Sequence, residues 1–198
     1  MTTSSPRRPE HPIDPVFLTR WSPRAFAPDT IGEDELLALF EAARWAPSSY
    51  NSQPARFVYG RRGTPAFDAL LDLLNPFNRS WAQEAAALVF ILSNSLMRPP
   101  GQDKDVPSRS HSFDAGAAWM SFALQAQMSG WYTHGMVGVD FDRAFADLDV
   151  PQGYRVECAV ALGRLGDPAA LPEGLRAREQ PNDRQPLSAI AMEGRFKG

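Results

Sequence analysis

Ala46-Pro47-Ser48-Ser49-Tyr50-Asn51-Ser52-Gln53-Pro54 stands between an amphipathic run, Glu33 to Trp45, and a strand-like run, Ala55 to Arg61. The first run predicts a helix that carries Leu36, Phe40 and Ala43 on one face, with Leu37 beside them. Gly32 serves as its N-cap, Glu33, Asp34 and Glu35 suit the positive helix start, and Pro47 ends it. The nine-residue link concentrates hydroxyl and amide groups at one place. Two readings stay open for it: a turn that holds a polar, planar ligand, or an ordinary Ser/Asn turn between helix and strand.

Outward from this link the pattern mixes strands and helices. Pro65 to Leu74 reads as a helix with Phe67, Leu70, Leu71 and Leu74 on one side. Ala85 to Ser93 is a continuous apolar run, consistent with a buried strand. Phe113 to Gly130 gives the longest helical pattern, with Phe113, Ala117, Met120, Leu124 and Met128 recurring. Tyr154 to Leu162 alternates and reads as a strand. The segment Asn94 to Ser112 is rich in Pro, Ser, Gly and Asp without a period, which marks a functional or disordered loop. His111, Phe113 and Tyr132 are candidates to shape a pocket there, or simple packing residues. No repeat appears, and an α/β or α+β sandwich follows. Residues 1–13 read as a flexible tail. The thirty residues after Gly166 contain no compact element and cannot bury themselves, so they read as disordered or as an arm over another surface.

The composition narrows the function. The chain has 198 residues, 43% hydrophobic and 22% charged, enough for one domain with a real core. A net charge of −3 argues against a general nucleic-acid binder. Cys158 is the single cysteine, so no internal disulfide or Cys-based metal cage forms, and its alternating surroundings make it a buried strand thiol. His11, His111 and His134 lack metal-ligand spacing, and no metal is expected. Met1 to Glu10 is polar with no apolar segment after it, so no signal peptide is expected. No run is long enough to cross a membrane, and a cytoplasmic location is expected. Gly-x-Gly-x-x-Gly, the P-loop and the Gly-x-Ser-x-Gly elbow are all missing. Chemistry would then belong to a bound cofactor.

Three more segments offer ligand groups, each with a plainer reading beside it. In Arg20-Trp21-Ser22-Pro23-Arg24 an extended backbone would put two guanidiniums and a hydroxyl on one side, suited to a phosphate. The plainer reading is a pair of surface arginines beside a packed Trp21. Thr133-His134-Gly135-Met136-Val137-Gly138-Val139-Asp140 has glycines that let backbone amides approach a ligand, or is a helix-to-helix loop with a capping Asp. Asn182-Asp183-Arg184-Gln185-Pro186-Leu187 is either tail or a further arginine site.

Taken in order, these segments resemble the FMN-dependent nitroreductase family from about Pro15 to the C-terminus. Arg20-Trp21-Ser22-Pro23-Arg24-Ala25-Phe26 is similar to its opening motif. Ala43 to Pro54 resembles its most specific segment. Asn78 with Trp81 fits a weaker block, His134 to Asp140 resembles the loop past the flavin, and Asn182 to Leu187 with Glu193-Gly194-Arg195-Phe196 resembles its end. The resemblance implies a three-layer α-β-α sandwich with a mainly antiparallel central sheet, in an intertwined homodimer. It implies one FMN-binding domain over 14–198, with 167–198 an arm over the partner subunit.

By the same resemblance, Arg20, Ser22 and Arg184 hold the FMN phosphate. Arg24 lies by the ribityl chain and the N1–C2 carbonyl edge, with Trp21 in the same segment. Pro47, Ser48, Ser49 and Asn51 come from the other subunit, and Asn78 bonds the pyrimidine edge. The backbone of Gly135, Met136, Val137 and Gly138 faces N5. Gln185 stands where many relatives have a second basic residue, which leaves Arg195 as a substitute, and Ala55 replaces a frequent aromatic. The implied activity is ping-pong oxidoreduction: NADH or NADPH reduces the flavin, and a nitroaromatic, quinone or similar small acceptor reoxidises it, with no obligatory protein acid or base. The alternatives on this fold are a flavin-dependent dehydrogenase, a dehalogenase, a flavin-fragmenting enzyme, a non-catalytic flavin-binding protein, or a dimeric scaffold without FMN.

Overall fold

The run from Ala87 has no polar face, so it must be covered on both sides, and the rest of the chain does this. A computed structural model describes residues 7–196. Its elements are α1 (Pro15–Thr19), α2 (Glu33–Arg44), β1 (Ala55–Arg61), α3 (Pro65–Asp72), α4 (Pro76–Ala82), β2 (Ala87–Asn94), β3 (Leu96–Met97), β4 (Val106–Pro107), α5 (His111–Met128), β5 (Tyr132–Met136), α6 (Phe141–Asp147), β6 (Tyr154–Gly163) and α7 (Glu173–Arg176). The sheet order is β1-β2-β6-β5, and every pair is antiparallel. Helices cover both faces, giving the expected α+β sandwich of three layers.

Strand periodicity sorts the core. Leu88, Phe90 and Leu92 of β2 join Val156, Ala159 and Ala161 of β6 on one face, under α3, α4, α6 and α7. Ala87, Val89 and Ile91 join Val160 and Leu162 on the other, under α2 and α5. The β2–β6 register shifts at Ile91/Leu92, which leaves Glu157 as the extra residue of a bulge. Its carboxylate accepts from Ser93 Oγ (2.5 Å) and Ser112 Oγ (2.6 Å), and Ser93 Oγ also pairs with His111 Nδ1 (2.7 Å). The bulge thus anchors the first turn of α5. His111 is spent on this anchor.

Local signals start the helices. Thr64, Asn75 and Asp140 each accept a backbone N–H at the starts of α3, α4 and α6. The stripes differ from the sequence expectation in two places. On α2 the buried set is Leu36, Leu39 and Ala43, while Leu37 is exposed. On α5 the buried set is Ala115, Ala118, Phe122, Ala123 and Ala126, whereas Phe113, Met120 and Met128 point outward. This helix is apolar on two sides, and small residues win the inner one because they permit close approach to the sheet.

β5, α4 and α6 were not legible as elements. The expected loop 94–112 holds a short hairpin, with Leu96 opposite Pro107 and Met97 opposite Val106. Of the C-terminal segment, Leu171 and Leu175 are buried against this chain's own core. Residues 1–6 of the expected N-terminal tail and residues 197–198 of the expected arm lie outside the described residues.

Candidate flavin site

Arg20 ends α1 in an extended conformation, and its N–H still bonds Val16 O. The chain then runs along β5 and the end of β6. Ala27 N donates to Arg164 O, and Gly166 N donates to Ala25 O. Gly163 and Gly166 make this contact possible, because a Cβ on either would meet Phe26 at 2.5 Å. His134 of β5 fixes the segment from the side: its Nδ1 lies 2.9 Å from Pro23 O, and its ring lies 4.6 Å from that of Trp81. Burial, with a smaller contribution from the Arg24 charge and against the opposing Pro23 carbonyl, lowers the His134 pKa to about 4. At neutral pH the ring is therefore uncharged and donates from Nδ1 to that carbonyl.

This frame brings Arg20, Ser22, Gly135 and Arg184 onto one cavity of about 450 Å³, whose other walls are Phe17, Trp119, Met120 and Ala123. Arg20 Nη1 lies 3.5 Å from Ser22 Oγ. Burial lowers the Arg20 pKa, and the neighbouring Arg7 and Arg184 lower it further. The cavity wall contains guanidiniums, a hydroxyl and apolar surface but no carboxylate. A phosphate joined to a flat aromatic body matches that donor set.

Arg24 does not share the wall. It lies over Trp81, 5.9 Å from the ring centroid, with Nη1 3.9 Å from Glu179 Oε2. The Glu179 side chain is 1% exposed, and its Oε1 accepts from the backbone N–H of Arg24 (2.6 Å) and Ala25 (2.8 Å). Arg24 Nε and Glu179 Oε2 are buried without a hydrogen-bond partner. Burial, and secondarily Arg178, lowers the Arg24 pKa against the opposing pull of Glu179. Trp21 is half-buried and lines neither this cavity nor its neighbours.

Asn78 and Gly138 meet elsewhere. Asn78 Nδ2 donates to Gly138 O (3.3 Å), and Asn75 N donates to the same oxygen (2.9 Å). Val137 is exposed, while the Met136 side chain is buried in the core, so only its backbone is available to a ligand. Arg195 lies outside the anion cavity.

The Pro47–Pro54 turn lies on a separate cavity of about 420 Å³, where Pro47, Ser48 and Gln53 face Phe40, Tyr59 and Ala118. Tyr50, Asn51 and Gln53 all have left-handed φ values of 51°, 55° and 48°. Such backbone costs about 1–3 kcal/mol per residue and persists only where other bonds fix it. Here Gln53 N donates to Ser48 Oγ (2.9 Å), and Ser49 N donates to Asp114 Oδ2 (3.2 Å). Asp114, buried on α5, is itself held by Ser110 Oγ (2.9 Å). Tyr50 and Trp45 project outward, 70% and 75% exposed. Reading the sequence missed Asp114, Glu179 and Arg7, because nothing local distinguishes them from surface charges.

Comparison with known proteins joins these pieces. A model of the nitroreductase family matches residues 18–64, the stretch that holds both the Arg20–Arg24 segment and the strained turn. The crystal structure of an oxidoreductase containing FMN is 45% identical over the full length of both chains, with a TM-score of 0.94. The chain belongs to the nitroreductase family. Another nitroreductase-like structure, from Exiguobacterium sibiricum 255-15, was solved in complex with FMN. It shares the fold at 21% identity and a TM-score of 0.73, over 90% of this chain and 95% of that one. An uncharacterized 15.4 kDa protein of Mycolicibacterium smegmatis is 35% identical over 150 residues, 71% of this nitroreductase-family chain and 97% of the relative. Among the described residues no helix is long and apolar enough to cross a membrane, and no group of three or more His, Cys, Asp or Glu is placed to hold a metal ion.

Proposed function

We propose that this chain binds FMN between two subunits of a homodimer and uses NADH or NADPH to reduce small electron-poor acceptors such as nitroaromatics or quinones. The observation that carries the proposal is the acid-free cavity on which Arg20, Ser22 and Arg184 converge beside Trp119 and Gly135. FMN, when bound, supplies the hydride-accepting and hydride-donating centre. The residues supply the rest. Arg20, Ser22 and Arg184 neutralise the phosphate. Arg24, which lies off this cavity against Trp81 and Glu179, would serve the pyrimidine edge, where negative charge grows on reduction, only by turning away from them. Asn78 and the backbone of Gly135 to Gly138 orient the ring. The Pro47, Ser48, Ser49 and Asn51 groups serve the other subunit's flavin.

Two observations support a two-subunit site. The strained turn and the anion cavity lie on different pockets of one chain. The outer stripe of α5, with Phe113 81% and Met128 65% exposed at its two ends, is apolar surface that none of the described residues covers. On this reading 14–198 form one FMN-binding domain, the 167–198 arm is rooted on its own chain through Leu171, Leu175 and Glu179 and reaches the partner subunit with its exposed side, and the protein works in the cytoplasm.

The test is anaerobic. Purified protein should be yellow, release FMN on denaturation, bleach with NADH or NADPH, and recover its colour when a nitroaromatic or quinone is added. Protein that takes up no FMN overturns the cofactor assignment. FMN-loaded protein that neither nucleotide bleaches overturns the electron donor. A monomer by sedimentation that keeps one FMN per chain overturns the two-subunit site.

A further inference from the structure

Arg7 lies in the segment that the sequence presents as a loose tail, yet its guanidinium joins three parts of the chain. Nε donates to Asn182 O at 2.7 Å. Nη1 donates to Arg20 O at 2.6 Å and to Leu18 O at 3.3 Å. Leu18 is in the last turn of α1, Arg20 is its C-cap, and Asn182 is two residues from Arg184. Arg184 Nη1 also donates to Asn182 O (3.2 Å). A planar fork can reach several carbonyls at once, whereas an ammonium is a single point.

The placement also concentrates charge. Arg7 and Arg184 share a cavity of about 300 Å³ that Glu10 and Asp183 also line, and Arg184 and Phe17 belong to both that cavity and the anion cavity, which no carboxylate lines. Burial lowers the Arg7 pKa and Arg184 lowers it further, with Asp183 opposing. Three guanidiniums therefore repel one another where an anion would relieve all three.

We propose that Arg7 is a positioning residue of the anion site: it fastens the C-terminal arm to the end of α1, so that Arg184 is delivered beside Arg20, and it adds a third positive charge behind the phosphate. The inference rests on the FMN reading above. It assigns to the N-terminal segment a part in cofactor retention that the sequence alone does not suggest.

Full-length wild type, Arg7→Ala and Arg7→Lys would be stripped of flavin and titrated with FMN and with riboflavin at several salt concentrations. Arg7→Ala should weaken FMN binding about tenfold, the loss expected of one charge-assisted contact, and leave riboflavin binding within about twofold. Its FMN affinity should also fall less steeply with salt. Arg7→Lys should restore the salt dependence while recovering only part of the affinity. In the apoprotein, trypsin should cut the arm after Arg178 or Arg184 faster in Arg7→Ala than in wild type. Unchanged FMN affinity in Arg7→Ala, equal loss of FMN and riboflavin, or unchanged cleavage of the arm each overturns the inference while the FMN reading stands. Wild type that binds no FMN overturns that reading, and the charge role of Arg7 with it.

Discussion

Replacing Glu179 by alanine should destabilise the protein by about 3–5 kcal/mol, the range for breaking a buried charged contact from one side. Its partners set this size. Glu179 Oε1 accepts two short backbone bonds, from Arg24 N at 2.6 Å and Ala25 N at 2.8 Å. Hydrogen bonds to a charged group are worth about 1.5–3 kcal/mol each. Alanine would leave both N–H groups without an acceptor, and Arg24, only 16% exposed, without its carboxylate at 3.9 Å. Relief of the desolvated carboxylate offsets part of this. Glu179→Gln keeps a carbonyl oxygen for the two N–H groups and loses the charge, so about half the effect is expected. Urea unfolding, followed by circular dichroism and tryptophan fluorescence at one fixed protein concentration, measures both variants. For a chain of this size the alanine variant should also melt about 6–20 °C lower. Loss of the contact should free the arm, so proteolysis after Arg178 should accelerate. An alanine variant within about 1 kcal/mol of wild type would refute the reasoning, since it would mean that the two backbone N–H groups find water or another acceptor at no cost.

Three further outcomes follow from the structure. His134 has a folded pKa of about 4 against an ordinary 6.5. Its contribution is therefore complete above pH 6.5 and falls as pH drops toward 4, by up to about 3 kcal/mol, because the unfolded chain takes the proton first. His134→Gln should flatten a plot of stability against pH in that window, and an unchanged slope counts against the assignment. A Cβ on Gly138 would overlap Asn75 Nδ2 and Asn78 Nδ2. Gly138→Ala should cost about 1–3 kcal/mol through overpacking and weaken FMN binding; unchanged melting and unchanged FMN titration together would show that the amides move aside freely. Burial, and secondarily Glu157, raises the Cys158 thiol to about 11. Iodoacetamide at about pH 7.5 should label it only after unfolding, and complete labelling of folded protein within minutes, read by mass spectrometry, would contradict this.

The strands that could be read in advance are those whose own residues force burial. Ala55–Arg61 begins and ends where the sequence pattern puts it, and the apolar runs near Ala87 and Tyr154 became the two central strands. β5 escaped because Tyr132-Thr133-His134-Gly135-Met136 has neither alternation nor apolar continuity; pairing with β6 makes it a strand. The longest helix shows the limit of periodicity. Two apolar stripes compete on α5, and the sequence favours the bulkier one, Phe113, Met120 and Met128. The sheet takes the alanine side, because packing distance decides which stripe can fit.

The sequence by itself determined the sandwich class, the lack of a second cysteine and of a nucleotide-loop motif, and the segments dense in guanidinium, hydroxyl and amide groups. Those depend on residue type and short-range order. Tertiary structure alone decided that Arg20, Ser22 and Arg184 share a cavity while Arg24 turns to Trp81 and Glu179. It also decided that Asp114 braces the strained Ser49 turn and that Arg7 ties the two ends of the chain. The reason is physical: a charged side chain has no fixed role until folding removes its water and supplies a partner, and those partners lie far away in sequence. The Pro47–Pro54 link shows both sides. Its composition marked it as a dense source of hydrogen bonds, but only the fold holds three left-handed residues in place there.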